Sequence, residues 1–311
     1  VGYGIGAGML WALETIVLSV LLMKGTFVQT EQAVFLAPFI SAFLNDTLSG
    51  LWLLAFRKAN KSYRTTTALT LLSNKNGRLL ILSGLFGGPL GMSSYLLSIK
   101  YIGASYTAVI SALYPAFGSI LAWLFLKDKL TRGQLAGIGL CAFGVIGMTG
   151  TPQGSVRSFG YFAFAFACAV FWGLEAVISS RAMRNADVPY EAALQIRHTT
   201  STLCYAFIFL PLLKAWSFTL EVLTVRTIVL LLLLTALLET GSYLMYYKAI
   251  HITGAARAMS LNITYMIWSV LFSIIIFKEL PGKYELISIA ILLAGVLLVV
   301  KCGKDRAAQA L

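Results

Sequence analysis

The chain is 311 residues long, 59% hydrophobic and only 12% charged, with a mean hydropathy of +0.83. Soluble domains carry about a quarter charged residues, so a soluble enzyme is excluded and an all-α transmembrane bundle is implied. The net charge of +12 does not mark a nucleic-acid binder, because the basic residues sit in short loops and no basic domain stands outside the apolar runs.

With Gly, Pro and charged clusters taken as breaks and about 20 apolar residues as one crossing, ten spans are predicted at 3–23, 31–56, 78–99, 104–126, 131–149, 158–180, 190–213, 227–249, 255–277 and 283–301. The first has no basic leader and no A-x-A site and carries Glu14 in its middle, so it reads as a true span and not a signal peptide. Because the sequence opens on Val1 and not on methionine, residues are expected to precede it.

The loop after the second span holds Arg57, Lys58, Lys61, Arg64, Lys75 and Arg78. Lys127, Lys129 and Arg132, then Arg181 and Arg184, then Lys301, Lys304 and Arg306 lie at ends that ten spans put on the same side. The opposite ends carry fewer basic residues, chiefly Lys24, Lys100, Arg157, Lys214, Arg226, Lys278 and Lys283. This bias predicts a bacterial inner-membrane protein with both termini cytoplasmic. Cys141, Cys168, Cys204 and Cys302 are isolated and read as packing residues. No metal-ligand spacing, nucleophile setting or nucleotide loop supports an intramembrane enzyme, and neither metal nor cofactor is expected.

The sequence repeats itself. Trp11-Ala-Leu-Glu14 returns as Trp172-Gly-Leu-Glu175. The stretch from Gly103 through Tyr114-Pro115 to Leu126-Lys127-Asp128 aligns without gaps on Gly254 through Tyr265-Met266 to Phe277-Lys278-Glu279. The chain therefore divides into two five-helix repeats, 1–150 and 151–311. An odd number of spans inserts the second upside down, the inverted architecture of secondary transporters with a midplane site.

A ten-span double repeat with a Lys-Tyr-Ile-Gly-Ala-Ser connection resembles the drug/metabolite transporter superfamily, EamA branch. Within it the chain is most similar to LicB-type bacterial choline transporters. The residues that carry this are Gly88-Pro-Leu-Gly-Met92, Lys100-Tyr-Ile-Gly103, Ser111-Ala-Leu-Tyr-Pro115, Trp172 to Ser180, Ile196-Arg197, Ser242-Tyr-Leu-Met-Tyr-Tyr247 and Leu261-Asn-Ile-Thr-Tyr265 with Trp268. The resemblance implies uptake of a choline-like cation by alternating access, with proton coupling. It also implies a small residue at position 14, so Glu14 is a departure.

Buried ionisable groups in a span are costly unless paired or wet, which singles out Glu14, Asp46, Glu175, Arg197, His198 and Glu239. Glu175 lies one turn after Trp172, a carboxylate beside an aromatic wall suited to a cation; its other reading is a structural partner of Arg197. Glu14 reads equally as a second proton site or as an anchor to a neighbouring helix. Asp46 corresponds by the repeat to the Arg197-His198 pair, which predicts a salt bridge and, alternatively, a switch. His198 alone reads as a polar core residue.

A quaternary ammonium donates no hydrogen bond and is held by aromatic faces, each contributing on the order of 0.5–2 kcal/mol. Trp11, Trp172, Tyr243, Tyr247 and Trp268 are the predicted cage. Tyr114 mirrors Tyr265, and Asn262 is placed to orient a choline hydroxyl. Some of these aromatics read equally as interfacial anchors. Pro115, without a counterpart at Met266, and the Gly87-Gly88-Pro89 turn are candidate hinges, with a packing kink as the alternative for Pro115. A monomer is expected. An exporter of amino acids, with Arg197 on the substrate carboxylate, is the competing reading.

Overall fold

The computed structural model describes residues 2–59, 74–126, 131–149, 159–183, 188–253, 255–278, 280 and 282–302. Eight of the basic residues used above for orientation, Lys61, Arg64, Lys127, Lys129, Arg157, Arg184, Lys304 and Arg306, lie outside the described residues, as do Asp128, Gly254 and Glu279.

Helices occupy each predicted stretch. They are α1 (Gly2–Leu22), α2 (Glu31–Ala59, with Pro38 inside it), α3 (Lys75–Ile102), α4 (Ala104–Ser111), α5 (Tyr114–Leu126), α6 (Arg132–Thr149) and α7 (Phe159–Met183). The second part contains α8 (Tyr190–Leu212), α9 (Trp216–Thr224), α10 (Arg226–Thr253), α11 (Ala255–Asn262), α12 (Tyr265–Phe277) and α13 (Lys283–Cys302). Among the described residues α1, α2, α3, α7 and α10 are long and apolar enough to cross a bilayer, and α8 with α9, bent by 114°, makes a sixth candidate. The outer surface is apolar too, with Phe143, Phe207 and Leu212 exposed. The chain is a multi-pass α-helical membrane protein, and lipid is the solvent of that surface.

Two of the predicted spans are not continuous. The 104–126 stretch breaks at Ala112-Leu113, and the 255–277 stretch breaks at Ile263-Thr264. These breaks keep one spacing: α4 and α5 lie 151 positions before α11 and α12 at all four boundaries, and α3 lies 151 before α10 at both ends. Pro115 is not what causes the break, since the stretch with Met266 in its place breaks identically. Pro115 is the second residue of α5, where a missing N–H costs no helical bond. Met266 there donates its own N–H to Ile263 O at 3.0 Å.

The expected Gly87-Gly88-Pro89 turn is instead a π-helical stretch, Phe86–Met92, inside the continuous α3. Pro89 has no N–H to continue the α ladder, and a π turn absorbs the misfit without ending the helix. A second π stretch, Tyr205–Phe209, lies in α8.

The packing crosses over. The N-terminal α1 lies on α10 and α12, whereas α7 lies on α3 and α5; α2 packs on both α8 and α10, and α6 on α13. Gly8 permits the first contact, because a Cβ there would stand 2.7 Å from Thr264 Oγ1 and 2.9 Å from Tyr265 N. Without a side chain, α1 runs directly over the α11–α12 break. At its far end Lys100 Nζ donates to Leu22 O at 2.6 Å, supplying a donor to a carbonyl in the last turn of α1.

Candidate functional site

Where α1, α5, α7, α10, α11 and α12 meet there is a partly open cavity walled mainly by aromatic side chains. Eight of the nine predicted substrate residues line it: Trp11, Tyr114, Trp172, Glu175, Tyr243, Tyr247, Asn262 and Tyr265. Tyr246, Ser179 and Ser242 line it as well. Trp268 is the ninth. It is absent from this wall, half-buried, and stacked on Phe272 with centroids 6.2 Å apart. The i, i+3 spacing from Tyr265 suggested a shared face, but the cavity ends at the first turn of α12 and Trp268 lies one turn beyond it.

The aromatic wall is a contact cluster. Trp11 meets Trp172 edge to face with centroids 5.2 Å apart, and Tyr243 likewise at 5.3 Å. Tyr95 of α3, which the sequence reading missed, backs both indoles, 4.8 Å from Trp172 and 5.7 Å from Trp11. A buried tyrosine in an apolar span carries no periodic signal that distinguishes it from core.

The π stretch of α3 makes room for the wall. A Cβ at Gly91 would stand 2.8 Å from the Trp172 indole, and one at Gly87 would fall on the Glu175 carboxyl group. Trp172 Nε1 donates to Gly87 O at 3.3 Å. Glu175 Oε1 accepts from Tyr247 OH at 2.9 Å and lies 3.4 Å from Arg197 Nε. Glu175 thus lines the cavity and also pairs with Arg197.

Behind this wall lies a buried polar network. Arg197, seven residues into α8, is fully buried. Its Nη1 donates to Asp46 and lies 3.4 Å from Glu239 Oε1, and its Nη2 donates to Tyr243 OH at 2.8 Å. The guanidinium also stands over the Tyr243 ring, 4.3 Å from its centroid. The expected Asp46–Arg197 salt bridge is present, and the two lie 151 positions apart, the spacing that relates α3 to α10. Ser201 Oγ also donates to Asp46.

His198 Nδ1 lies 2.9 Å from Asp46 Oδ1 and 3.0 Å from Arg197 Nη1. It cannot donate to the first and accept from the second at once, so its tautomer follows whichever partner prevails. Asp46, His198 and Glu239 converge as a metal-binding trio does, but Arg197 Nη1 reaches all three and stands in the middle of them. The guanidinium fills that place.

Glu239 is fully buried behind the cavity wall, not on it. Its Oε2 accepts from Ser49 Oγ at 2.6 Å and Asn45 Nδ2 at 2.7 Å. Asn45 Nδ2 also donates to Glu14 Oε1 at 3.0 Å, and Asn45 Oδ1 accepts from Thr235 at 2.7 Å. Asn45, Ser49 and Ser201 were missed. The polar run Asn45-Asp46-Thr47 with Ser49 inside an apolar helix was their legible signal.

The two helix breaks are tied across the cavity. Tyr265 OH bonds Ser111 Oγ at 2.8 Å, and Asn262 Nδ2 donates to Tyr114 OH at 3.4 Å. Ser111 and Asn262 are 151 positions apart, as are Tyr114 and Tyr265, so each break reaches the other through matching residues. Among the described residues, three buried polar atoms of the cavity lining have no hydrogen-bond partner: Trp11 Nε1, Tyr246 OH and Asn262 Oδ1.

The family model of EamA-like transporters matches residues 1–150 and 159–301. Protein LicB of Haemophilus influenzae is 33% identical over 223 residues, which is 70% of this chain and 73% of LicB. A solved crystal structure superposes with a TM-score of 0.61 over 95% of this chain and 94% of its own, at 18% identity, a likeness of fold.

Proposed function

The chain belongs to the EamA-like transporter family, and from that premise we propose that it imports choline, or a related quaternary ammonium, by alternating access. One observation carries the substrate reading. The aromatic cavity is lined by a single acid, Glu175, and by no Lys, Arg or His among the described residues. A permanent cation that donates no hydrogen bond suits aromatic faces beside one carboxylate. The orphan Asn262 Oδ1 is the acceptor a choline hydroxyl needs.

Export of amino acids would require an accessible positive charge for the substrate carboxylate. Arg197 is fully buried behind Tyr243 and bound to Asp46, which argues against that reading.

The transport cycle in this proposal is a rocking of two inverted five-helix repeats, 1–150 and 151–311, about the cavity. The constant spacing of the helix boundaries, the crossed packing and the paired bonds between the two breaks all support it. Proton coupling is supported by the charge balance: four buried acids, Glu14, Asp46, Glu175 and Glu239, surround one guanidinium. Such an excess of negative charge calls for protons or a cationic solute. In this reading the chain works as a monomer in a bacterial inner membrane with both termini cytoplasmic.

The test is uptake of radiolabelled choline into proteoliposomes. Saturable uptake by the wild type, lost in Glu175→Gln and in Trp172→Ala, is the expected result. A wild type that moves no choline but exchanges labelled aromatic amino acids refutes the substrate assignment.

A further inference from the structure

The four buried acids are unequally provided for. Asp46 accepts from Arg197 and Ser201 and meets His198. Glu239 accepts from Asn45 and Ser49 and lies 3.4 Å from Arg197 Nη1. Glu175 accepts from Tyr247 and lies 3.4 Å from Arg197 Nε. Glu14 accepts one bond, from Asn45 Nδ2 to Oε1 at 3.0 Å, while its Oε2 is buried without a partner. The residue is 1% exposed.

The groups that face Glu14 do not change this. They are Asn45 and Asp46 from α2, Glu239 from α10, Arg197 from α8 and Tyr95 from α3. The guanidinium is spent on the other three acids, and the Tyr95 hydroxyl bonds Thr15 at 2.6 Å. An ionised carboxylate left with one neutral donor in a dry interior is far costlier than a neutral carboxyl in the same place.

We propose that Glu14 is a proton-binding site outside the substrate cavity, occupied in this state by a proton on Oε2, and the group through which a proton gradient acts on substrate flux. The second half of this rests on the transporter reading above. A continuous path joins the site to the cavity: Glu14, Asn45, Glu239, Arg197, Glu175, with successive separations of 3.0, 2.7, 3.4 and 3.4 Å. A cation settling beside Glu175 competes for its hold on Arg197, and the network rearranges as far as Asn45. When the bundle opens, the proton on Oε2 passes to water and leaves a carboxylate; on the other side water returns it. No other bond forms or breaks.

The site is read by infrared spectroscopy of lipid-reconstituted, choline-free protein at neutral pH. The wild type shows a protonated-carboxyl C=O stretch with a component that Glu14→Gln loses and that Glu175→Gln and Glu239→Gln keep. A carboxyl stretch undiminished in Glu14→Gln, or no such stretch in the wild type, overturns the proposal. Glu14→Ala repeats the test should the glutamine variant fold poorly. Coupling is read in proteoliposomes, where a pH step of about one unit can sustain about tenfold accumulation at one proton per choline. Glu14→Gln exchanges labelled for unlabelled choline as the wild type does but accumulates none. Accumulation equal to wild type in that variant overturns the coupling role. The infrared band needs no choline, so a wild type that carries the band and moves no choline refutes the substrate reading while upholding the site.

Discussion

Gly87→Ala is the sharpest test of how the cavity is built. The added methyl would fall on the Glu175 carboxyl group, and α3 is held on α7 and α8 along this stretch. The side chain of Glu175 must therefore swing away, giving up Tyr247 OH at 2.9 Å and Arg197 Nε at 3.4 Å. A cation and a carboxylate about 4 Å apart attract by about 4 kcal/mol at an effective dielectric constant of about 20, and by half that at about 8 Å. The loss of about 2 kcal/mol corresponds to roughly 30-fold in Kd. With choline as the proposed substrate, calorimetric titration in detergent reads it directly. Gly139→Ala is the matched control, because a Cβ there meets nothing within 4 Å. Wild-type affinity in Gly87→Ala, or an equal loss in Gly139→Ala, would refute the reasoning.

Three further outcomes are expected. Arg197→Met leaves Asp46, Glu175 and Glu239 without their shared cation and costs about 3–5 kcal/mol of stability; Arg197→Lys recovers part of it, lacking the planar fork, as thermal unfolding in detergent will read. Trp268→Ala leaves the choline Kd within about twofold of wild type, the range of a change outside the site, because Trp268 does not line the cavity; a larger loss by titration would return it to the cage. Lys100→Met removes the donor to Leu22 O at a cost of about 1.5 kcal/mol, so the Met23 and Lys24 amides, bonded to Val20 and Leu21, exchange hydrogen about tenfold faster by mass spectrometry.

What the sequence makes legible follows from which forces act locally. A run of apolar residues long enough for a bilayer is a one-dimensional signal, so the helical stretches and the pairing of Trp11-Glu14 with Trp172-Glu175 can be read directly. Ala112-Leu113 and Ile263-Thr264 are as apolar as their surroundings, so hydropathy passes over both breaks. What makes them visible in space is the contact of α1 at Gly8 and the tyrosine bonds that cross between them. The cavity wall was legible where an aromatic sits one turn from an acid, as at Trp172 and Glu175. Trp268 lies off the cavity wall, since helical spacing fixes the face of a residue and not its depth along the cavity. The role of Asn45 as a bridge between Glu14 and Glu239 depends on three helices meeting, which no single helix can encode.

The solitary guanidinium of the network also bears on the energetics of the whole cycle. Arg197 lies 151 positions after Asp46, the spacing that relates α3, α4 and α5 to α10, α11 and α12, so the place that holds a cation in one half of the chain holds a carboxylate in the other. Glu14 and Glu175 are matching residues with unmatched surroundings. Were the two ends of the molecule alike in charge, inward-open and outward-open forms would be degenerate and their populations set by the membrane alone. In the proposed cycle, a cation on one side only tilts the resting equilibrium from within the chain, and the proposed substrate and proton work against that preference for one face.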